Sequence, residues 1–471
     1  MTEVERLALR CVFPGFEGTR APEWVLRRAA QGLGGAVVFA RNVATRGQLV
    51  SLTAELHGAR PELLVAIDEE GGDVTRLEAR TGSSYPGNLA LGYAGDLSLT
   101  RDVGVAVGAE LAAVGVDLNL APVADVNTNA ENPIIGVRSF GSNAADVARH
   151  TAAWIEGLQS AGVAACAKHF PGHGDTAVDS HLDLPVVHED PHHRALEPFV
   201  AAFAAGARAV MSAHILVPAV DDAPGTVSRK VMTGLLRDEL GFEGMAISDG
   251  LEMHGVSHGL GVAEGAVRAL VAGCDALCIG GGLADEGVVE DIVAALSAAV
   301  RQGRLSEQRL REAAGRIDGL AAWRQAHERM REPDRAVGLV AARRGLCASG
   351  DLVVGDEATV VRFPAPASIA AGEVPWGVAA PLAARGVRVN EVDADAPAHH
   401  LPMSRLVMVV RDLHRRPEQQ QLVEQLLELR PDSIVVEMGV PVYRPRGARA
   451  YIATHGSARV CGEAAAEVLH P

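Results

Sequence analysis

Eight short apolar runs recur along the first 280 residues of this chain, and they limit its possible folds more than any other feature. Each run is followed by a loop rich in Gly, Asp, His or Asn and then by a helix-like segment. Continuous apolar runs, unlike alternating ones, are typical of parallel strands that helices cover on both faces. The runs occupy residues 7–13, 35–40, 63–68, 116–125, 163–170, 207–215, 244–250 and 275–280.

Helix-like segments lie between the runs. Residues 99–115 and 263–273 carry apolar side chains at three- and four-residue spacing and end on Gly. Eight strand–helix repeats over roughly 320 residues favour an α/β fold of the (β/α)8 TIM-barrel type over an open doubly wound sheet. Polar residues end most of the runs, which is where barrel enzymes carry their active sites. These residues are Arg41, Asn42, Asp68, Glu69, Asp125, Lys168, His169, His214, Ser248 and Asp249.

A polar, proline-containing stretch follows the helix predicted at residues 305–326. We place a domain boundary there, so that residues 1–334 form the barrel and residues 335–471 form a smaller α/β domain. The apolar runs at 406–412, 433–439 and 448–456 alternate with helix-like segments at 418–431 and 458–469. This alternation predicts one more layer of strands and helices.

The composition argues against several classes of protein. A net charge of -16 disfavours a nucleic-acid partner, because its phosphates would be repelled. The apolar runs stop well short of the roughly 18 residues that a membrane span needs. The first residues lack an export-signal pattern, and the six cysteines follow no disulfide spacing. Cys274 and Cys278 are predicted to lie in the core, and we expect a reduced, cytoplasmic protein.

The segment 167–185, AKHFPGHGDTAVDSHLDLP, gathers histidine and aspartate side chains after one predicted strand. The spacing between its histidine and aspartate residues, which could bind a metal ion, matches no common pattern of zinc ligands. A nucleophile triad fails because the neighbouring side chains of Asp179, Ser180 and His181 alternate between two faces of an extended segment. Asp179 and His181 share a face, so the carboxylate could orient the imidazole for general acid/base work. The metal-ligand candidates are His169, His173, Asp175, Asp179 and His181.

Two other strand ends carry candidate functional carboxylates. Asp249 follows a buried run and precedes a glycine, a position that suits either a nucleophile or a helix N-cap. Asp68 follows five apolar residues at the predicted barrel mouth, whereas Glu69 and Glu70 have either a supporting or a solvated role. Arg138 either forks onto a polar ligand or pairs with a nearby carboxylate.

Six motifs along the chain, in their sequence and in their order, resemble family 3 of the glycoside hydrolases, specifically its β-N-acetylglucosaminidase branch. The resemblance extends over roughly residues 6–330, and the stretch from Lys168 to Pro185 is its most specific part. The tail, with SIVVEMG and ATHGSARVCGEAAAEVL, resembles the C-terminal domain that some members carry. The motifs are GAVVFARN, AIDEEGG with TRL, NLAPVADVN, NPIIGVRSFG, KHFPGHGDTAVDSHLDLP and ISDGLEM.

The resemblance implies roles for individual residues. Asp249 aligns with the family's nucleophile, and His181 with Asp179 aligns with its acid/base dyad on a mobile loop. No metal or cofactor is implied. Asp73 stands where the family's usual EGGRV pattern has an arginine, so the rim of the sugar pocket need not be the same here. The residues that align with sugar-binding positions are Asp68, Arg138, Lys168 and His169, and Arg76 would extend this contact network.

The expected activity is that of a retaining exo-β-N-acetylglucosaminidase acting on cell-wall or chitin-derived fragments, such as a small oligosaccharide or a muropeptide. A histidine donor leaves a second possibility open, because a neutral imidazole would not repel inorganic phosphate as a carboxylate would. The alternative is therefore a phosphorylase that releases a sugar 1-phosphate from a β-N-acetylglucosaminide or β-glucoside. Two other hypotheses are a metal-dependent hydrolase built on the His/Asp loop and a non-catalytic sugar-binding protein.

Overall fold

The computed structural model describes residues 1–177, 184–253, 261–282, 285–330, 332–366, 368–394 and 402–471. The predicted dyad of Asp179 and His181 lies outside these ranges. The predicted α/β fold with parallel strands is confirmed. None of the helices in the described ranges combines the length and the apolar character that crossing a bilayer requires.

Eight parallel strands form the N-terminal part of the molecule, and their order in space follows their order in the chain. The strands β2 to β7 form one sheet, with each strand paired to the next. Strand β8 pairs with β1 and is joined to β7 through the bridge between Ile247 and Ala276. The strands are β1 (Val12–Pro14), β2 (Gly35–Val38), β3 (Leu64–Ile67), β4 (Leu118–Asn119), β5 (Ala164–Phe170), β6 (Ala209–Ser212), β7 (Met245–Ile247) and β8 (Leu277–Ile279).

Helices separate the strands and cover the sheet. Their starts follow the usual capping chemistry: the Asp96 carboxylate accepts the first backbone N–H groups of one helix, and the Asn143 side chain does so for another. Helix α8 has the wider hydrogen bonding of a π-helix. The helices are α1 (Glu3–Arg10), α2 (Glu23–Gln31), α3 (Arg46–Ala59), α4 (Asn88–Ala94), α5 (Leu97–Ala113), α6 (Ala144–Ser160), α7 (Glu197–Ala204), α8 (Lys230–Glu239), α9 (Val262–Ala272), α10 (Glu286–Arg301) and α11 (Glu307–Ala326).

The prediction was wrong for the first apolar run. Residues 7–10 belong to α1, and only the end of the run enters β1. The cause is a capping box: the Thr2 hydroxyl accepts the Glu5 N–H, and the Glu5 carboxylate accepts the Thr2 N–H. These two hydrogen bonds start a helix whose apolar side chains then meet the core at helical rather than strand spacing.

A second sheet forms the C-terminal part, in the order β11-β10-β12-β13-β14-β9, with only β9 antiparallel to its neighbour. Its valines alternate between two apolar clusters, so both faces are buried beneath helices. Its strands are β9 (Cys347–Ser349), β10 (Glu357–Arg362), β11 (Arg388–Asp393), β12 (Arg405–Val410), β13 (Ile434–Glu437) and β14 (Ala450–Ala453). Its helices are α12 (Ala336–Arg344), α13 (Ala379–Ala384), α14 (Pro417–Leu429) and α15 (Arg459–Leu469).

Candidate active site

A cavity of about 600 Å³ opens at the carboxyl ends of the first eight strands. It brings together six of the residues that the sequence singles out, although they come from five separate segments of the chain. The parallel arrangement explains this, because the carboxyl ends of all the strands meet on one side. The six residues are Asp68, Arg76, Arg138, Lys168, His169 and Asp249.

A buried ion-pair network forms the floor of the cavity around Glu70. The Arg138 guanidinium donates to both Glu70 oxygens, at 2.9 and 2.8 Å. The Lys168 ammonium lies 2.7 Å from Glu70 Oε1 and 2.7 Å from Asp68 Oδ1, so it joins the two carboxylates. Glu70 and Lys168 are almost fully buried, whereas the Asp68 side chain is 19% exposed. Asp68 is therefore the most exposed member of the network at the cavity.

The network keeps its buried members ionised. Burial alone would raise the pKa of Glu70, but the Arg138 and Lys168 cations lower it well below its ordinary value. Burial alone would lower the pKa of Lys168, yet the Asp68 and Glu70 carboxylates raise it above its ordinary value. Two negative and two positive groups thus hold one another in fixed positions at neutral pH.

His169 is held by Asp125, which is completely buried. The His169 ring donates from Nδ1 to Asp125 Oδ2 at 2.7 Å, and the His173 backbone N–H donates to Asp125 Oδ1 at 2.6 Å. Burial lowers the pKa of His173 to about 4, so that imidazole is neutral at physiological pH. The hydrogen bond at Nδ1 fixes the His169 ring and leaves Nε2 as the nitrogen that the cavity can use.

Asp249 follows β7 directly after Ser248, and its loop is fixed from two sides. Its Oδ1 accepts the Gly250 backbone N–H at 2.8 Å. The buried His214 imidazole donates from Nε2 to the Gly250 carbonyl at 2.9 Å, which orients the peptide next to the carboxylate. Glu252 accepts backbone N–H groups from the loop after β8, including Gly280 at 3.0 Å. His214 is thus a satisfied strand-end residue that supports the Asp249 loop.

The C-terminal part of the chain supplies one wall of the cavity through residues 369–372. The Arg76 guanidinium donates to the carbonyl oxygens of Ala370 and Ala371, at 2.7 and 3.3 Å. It also lies 3.9 Å from Asp68 Oδ2. Arg76 therefore borders the cavity, and its side-chain hydrogen bonds go to the wall.

Sequence reasoning missed three contributors to this site. The role of Glu70 stayed undecided, although the motifs that carry Arg138 and Lys168 supply two cations, each of which needs a carboxylate partner when it is buried. Asp125 stood out only as a strand-end residue, and its hydrogen bonds to His169 and to the His173 backbone appear only in the folded chain. The wall at residues 369–372 had no signal in the sequence, because it lies about 300 residues from Arg76 in the chain.

The residues of the His/Asp loop that the structure describes have partners within the protein. His173 Nδ1 lies 2.8 Å from Thr176 Oγ1, and Asp175 Oδ1 accepts the Thr128 hydroxyl at 3.0 Å. Across the described ranges, no group of three or more His, Cys, Asp or Glu side chains is arranged to hold a metal ion. His169 and His173 instead share Asp125, so these donors build the loop itself.

Comparisons with known proteins agree on one family. The model of the glycosyl hydrolase family 3 N-terminal domain matches residues 19–320. A β-hexosaminidase of Bordetella parapertussis is 40% identical over 267 residues, which are 54% of this chain and 75% of that protein. β-Hexosaminidase A of Pseudoalteromonas piscicida is 36% identical over 314 residues, 60% of this chain but only 52% of that relative. A family 3 β-N-acetylglucosaminidase from Paenibacillus sp. str. FPU-7 superimposes with a TM-score of 0.90 at 33% identity, covering 100% of this chain and 97% of that one.

Proposed function

This chain belongs to glycosyl hydrolase family 3, a family of enzymes that cleave glycosidic bonds, and we propose that it is a retaining exo-β-N-acetylglucosaminidase. The predicted family, and with it the prediction of a glycoside hydrolase, is confirmed. The substrate, the mechanism and the residue roles are the proposal. The observation that carries it is the cavity that Asp249 lines together with Asp68, Lys168 and His169.

Asp249 is the proposed nucleophile. A retaining glycosidase needs a carboxylate that attacks the anomeric carbon and forms a covalent glycosyl–enzyme intermediate. A nucleophile has to be positioned before the substrate arrives, and the hydrogen bonds at Gly250 give the loop that rigidity. The partly exposed carboxylate has the access to the cavity that an attack requires.

His181, oriented by Asp179, is the proposed acid/base. Both residues lie outside the described part of the chain, so their roles rest on the sequence motif. The imidazolium would protonate the departing glycosidic oxygen, and the neutral imidazole would then take a proton from the incoming water. The described part of the same loop, up to residue 177, is anchored by the hydrogen bonds of His169 and His173 to Asp125.

The terminal sugar is proposed to bind on the charged floor. Asp68 would accept hydrogen bonds from sugar hydroxyls through the part of its carboxylate that faces the cavity, and His169 would use Nε2. The Arg138 guanidinium donates to Glu70, and the Lys168 ammonium contacts both Glu70 and Asp68. These two cations are therefore proposed to orient the carboxylates that bind the sugar. Charge-assisted hydrogen bonds of this kind are about twice as strong as neutral ones.

The proposed architecture is a closed (β/α)8 barrel over residues 1–334 followed by a smaller α/β domain over residues 335–471. Closure requires β1 to lie against β2, and a Cβ atom added at Gly35 would come within 2.2 Å of the Phe13 ring. Such close approach of neighbouring strands supports a closed barrel. The boundary falls between α11 and α12, where the described residues of 327–335 form neither helix nor strand.

The activity is tested with an aryl β-N-acetylglucosaminide and the matching β-glucoside, each assayed with and without inorganic phosphate. We expect release of free N-acetylglucosamine by the wild type, no phosphate stimulation, and loss of at least about 10³-fold in kcat for Asp249→Asn. Formation of a sugar 1-phosphate would show that the enzyme is a phosphorylase and that the proposal of a hydrolase is wrong. Full activity of Asp249→Asn would refute the mechanism. Cell-wall fragments bearing a terminal β-linked N-acetylglucosamine, including muropeptides, are the natural substrates to test next.

A further inference from the structure

We propose that Asp73 and Arg411 are positioning residues that hold the cavity wall at residues 369–372 in place, and so control substrate binding. The inference rests on the proposed function only for the kinetic part of its test. It concerns an aspartate where the family's usual pattern has an arginine. The pair joins the loop after β3 to the end of β12, which are 338 positions apart in the chain.

Asp73 is buried between the two parts of the molecule and uses both of its carboxylate oxygens there. Oδ2 accepts Arg411 Nη2 at 2.6 Å. Oδ1 accepts both the backbone N–H and the hydroxyl of Ser457, each at 2.8 Å. The side chains of Asp73 and Arg411 are only 4% and 14% exposed. A buried pair with this many hydrogen bonds is costly to break from one side.

On the barrel side, Asp73 belongs to a tight turn that begins at the sugar-binding carboxylates. Gly71 and Gly72 have positive φ values of 75° and 61°, and a Cβ atom at Gly72 would lie 2.5 Å from Gly87 Cα. The turn closes with the Glu70 backbone N–H on the Val74 carbonyl at 3.0 Å. The turn therefore holds Asp73 at a fixed distance from Glu70, so the carboxylate is firmly anchored on the barrel side.

On the other side, Arg411 stands behind the wall. Ala371 and Gly372 line the substrate cavity and also a second cleft of about 430 Å³, which Asp73, Arg411 and Trp376 line as well. The Arg411 guanidinium carbon lies 5.9 Å from the centre of the Trp376 ring. The wall thus has open space behind it instead of packed side chains. The polar contacts of the wall are the Arg76 hydrogen bonds to its carbonyl groups and the local hydrogen bonds of Ala371 and Gly372 to Ser368. The Asp73–Arg411 pair lines the cleft on the other side and so sets the space into which the wall can move.

The test measures amide hydrogen exchange and steady-state kinetics on the full-length protein. Asp73→Asn and Arg411→Gln are expected to speed exchange in peptides covering residues 368–377 by at least about tenfold. They are expected to raise KM for an aryl β-N-acetylglucosaminide about tenfold while kcat changes less than about twofold, because binding is lost equally in the ground and transition states. Arg411→Lys keeps the ion pair and is expected to restore most of the wild-type KM.

Arg459→Gln is the matched control. Arg459 also joins the two parts of the chain, through Ser84 Oγ at 2.6 Å, but it does not border the substrate cavity. Wild-type exchange at the wall in both Asp73→Asn and Arg411→Gln overturns the proposal, as does an equal KM increase in Arg459→Gln. If the wild type does not hydrolyse the substrate, the proposed function fails, and hydrogen exchange alone decides whether the pair holds the wall.

Discussion

Two consecutive buried glutamates are expected to lose very different amounts of stability on the same substitution. Glu70 and Glu69 are 5% and 4% exposed and follow the same strand. Glu70 is ion-paired to Arg138 and Lys168, whereas Glu69 accepts only uncharged donors, including the backbone N–H groups of Arg76 and Leu77. Replacing each with glutamine removes an ionisable carboxyl group from the same depth and keeps the size of the side chain. The difference between the two variants therefore isolates the ion pairs.

The magnitude follows from what each substitution leaves behind. Glu70→Gln leaves two buried cations with one remaining carboxylate, Asp68, and breaking a buried pair from one side costs about 3–5 kcal/mol. The unfolding entropy is about 2.1 cal/mol/K per residue, or about 0.7 kcal/mol/K for roughly 320 residues, so Tm should fall by about 4–7 °C. Burial raises the pKa of Glu69 to about 7, so glutamine resembles a form that this side chain already adopts. Glu69→Gln should cost less than about 1 kcal/mol at neutral pH.

The assay is thermal unfolding followed by calorimetry and circular dichroism at pH 7, with urea unfolding to give free energies. The m value checks that each variant unfolds as the wild type does. A loss of less than about 1 kcal/mol for Glu70→Gln, or an equal loss for both variants, would contradict this prediction. Either result would mean that the buried network contributes no more than ordinary hydrogen bonds.

The remaining predictions concern the pH dependence of stability, the support of the Asp249 loop by His214, and the buried carboxylate of Asp275. The pKa of Glu69 in the folded protein lies above its ordinary value of 4.5, so folding favours the protonated form of this side chain. The contribution of Glu69 to the stability of the fold is therefore complete below about pH 4.5 and is lost as the pH rises to about 7. Between pH 5 and pH 8, the free energy of unfolding of the wild type, measured with urea, should fall by up to about 3 kcal/mol, and Glu69→Gln should remove this fall. A fall of the same size in the variant would contradict the prediction. His214→Ala removes the donor to the Gly250 carbonyl and should lower kcat about tenfold or more through the Asp249 loop, with a wild-type value counting against that role. Asp275→Asn leaves three arginines without their shared buried carboxylate and should cost about 3–5 kcal/mol in urea unfolding, while a loss below about 1 kcal/mol would refute it.

Local sequence was sufficient for most of the elements. Seven of the eight apolar runs contain a whole strand, and the segments with three- and four-residue spacing overlap helices α5 and α9 over most of their length. The failure at residues 7–10 came from hydrogen bonds between Thr2 and Glu5, which outweighed the continuous apolar character. Strand ends were also informative about function, because parallel strands direct their carboxyl ends to one side and gather polar side chains there.

The sequence by itself therefore determined the parallel α/β fold, the family and several of the charged residues that line the cavity, since motifs and periodicity are local properties. Only the tertiary structure decided how those residues share their charges. It paired Arg138 and Lys168 with Glu70, turned Arg76 towards the carbonyl groups of the wall, and joined Asp73 to Arg411. The physical reason is that burial makes an unpaired charge costly, so partners are selected by proximity in the folded chain, and no local pattern encodes a contact across 300 residues.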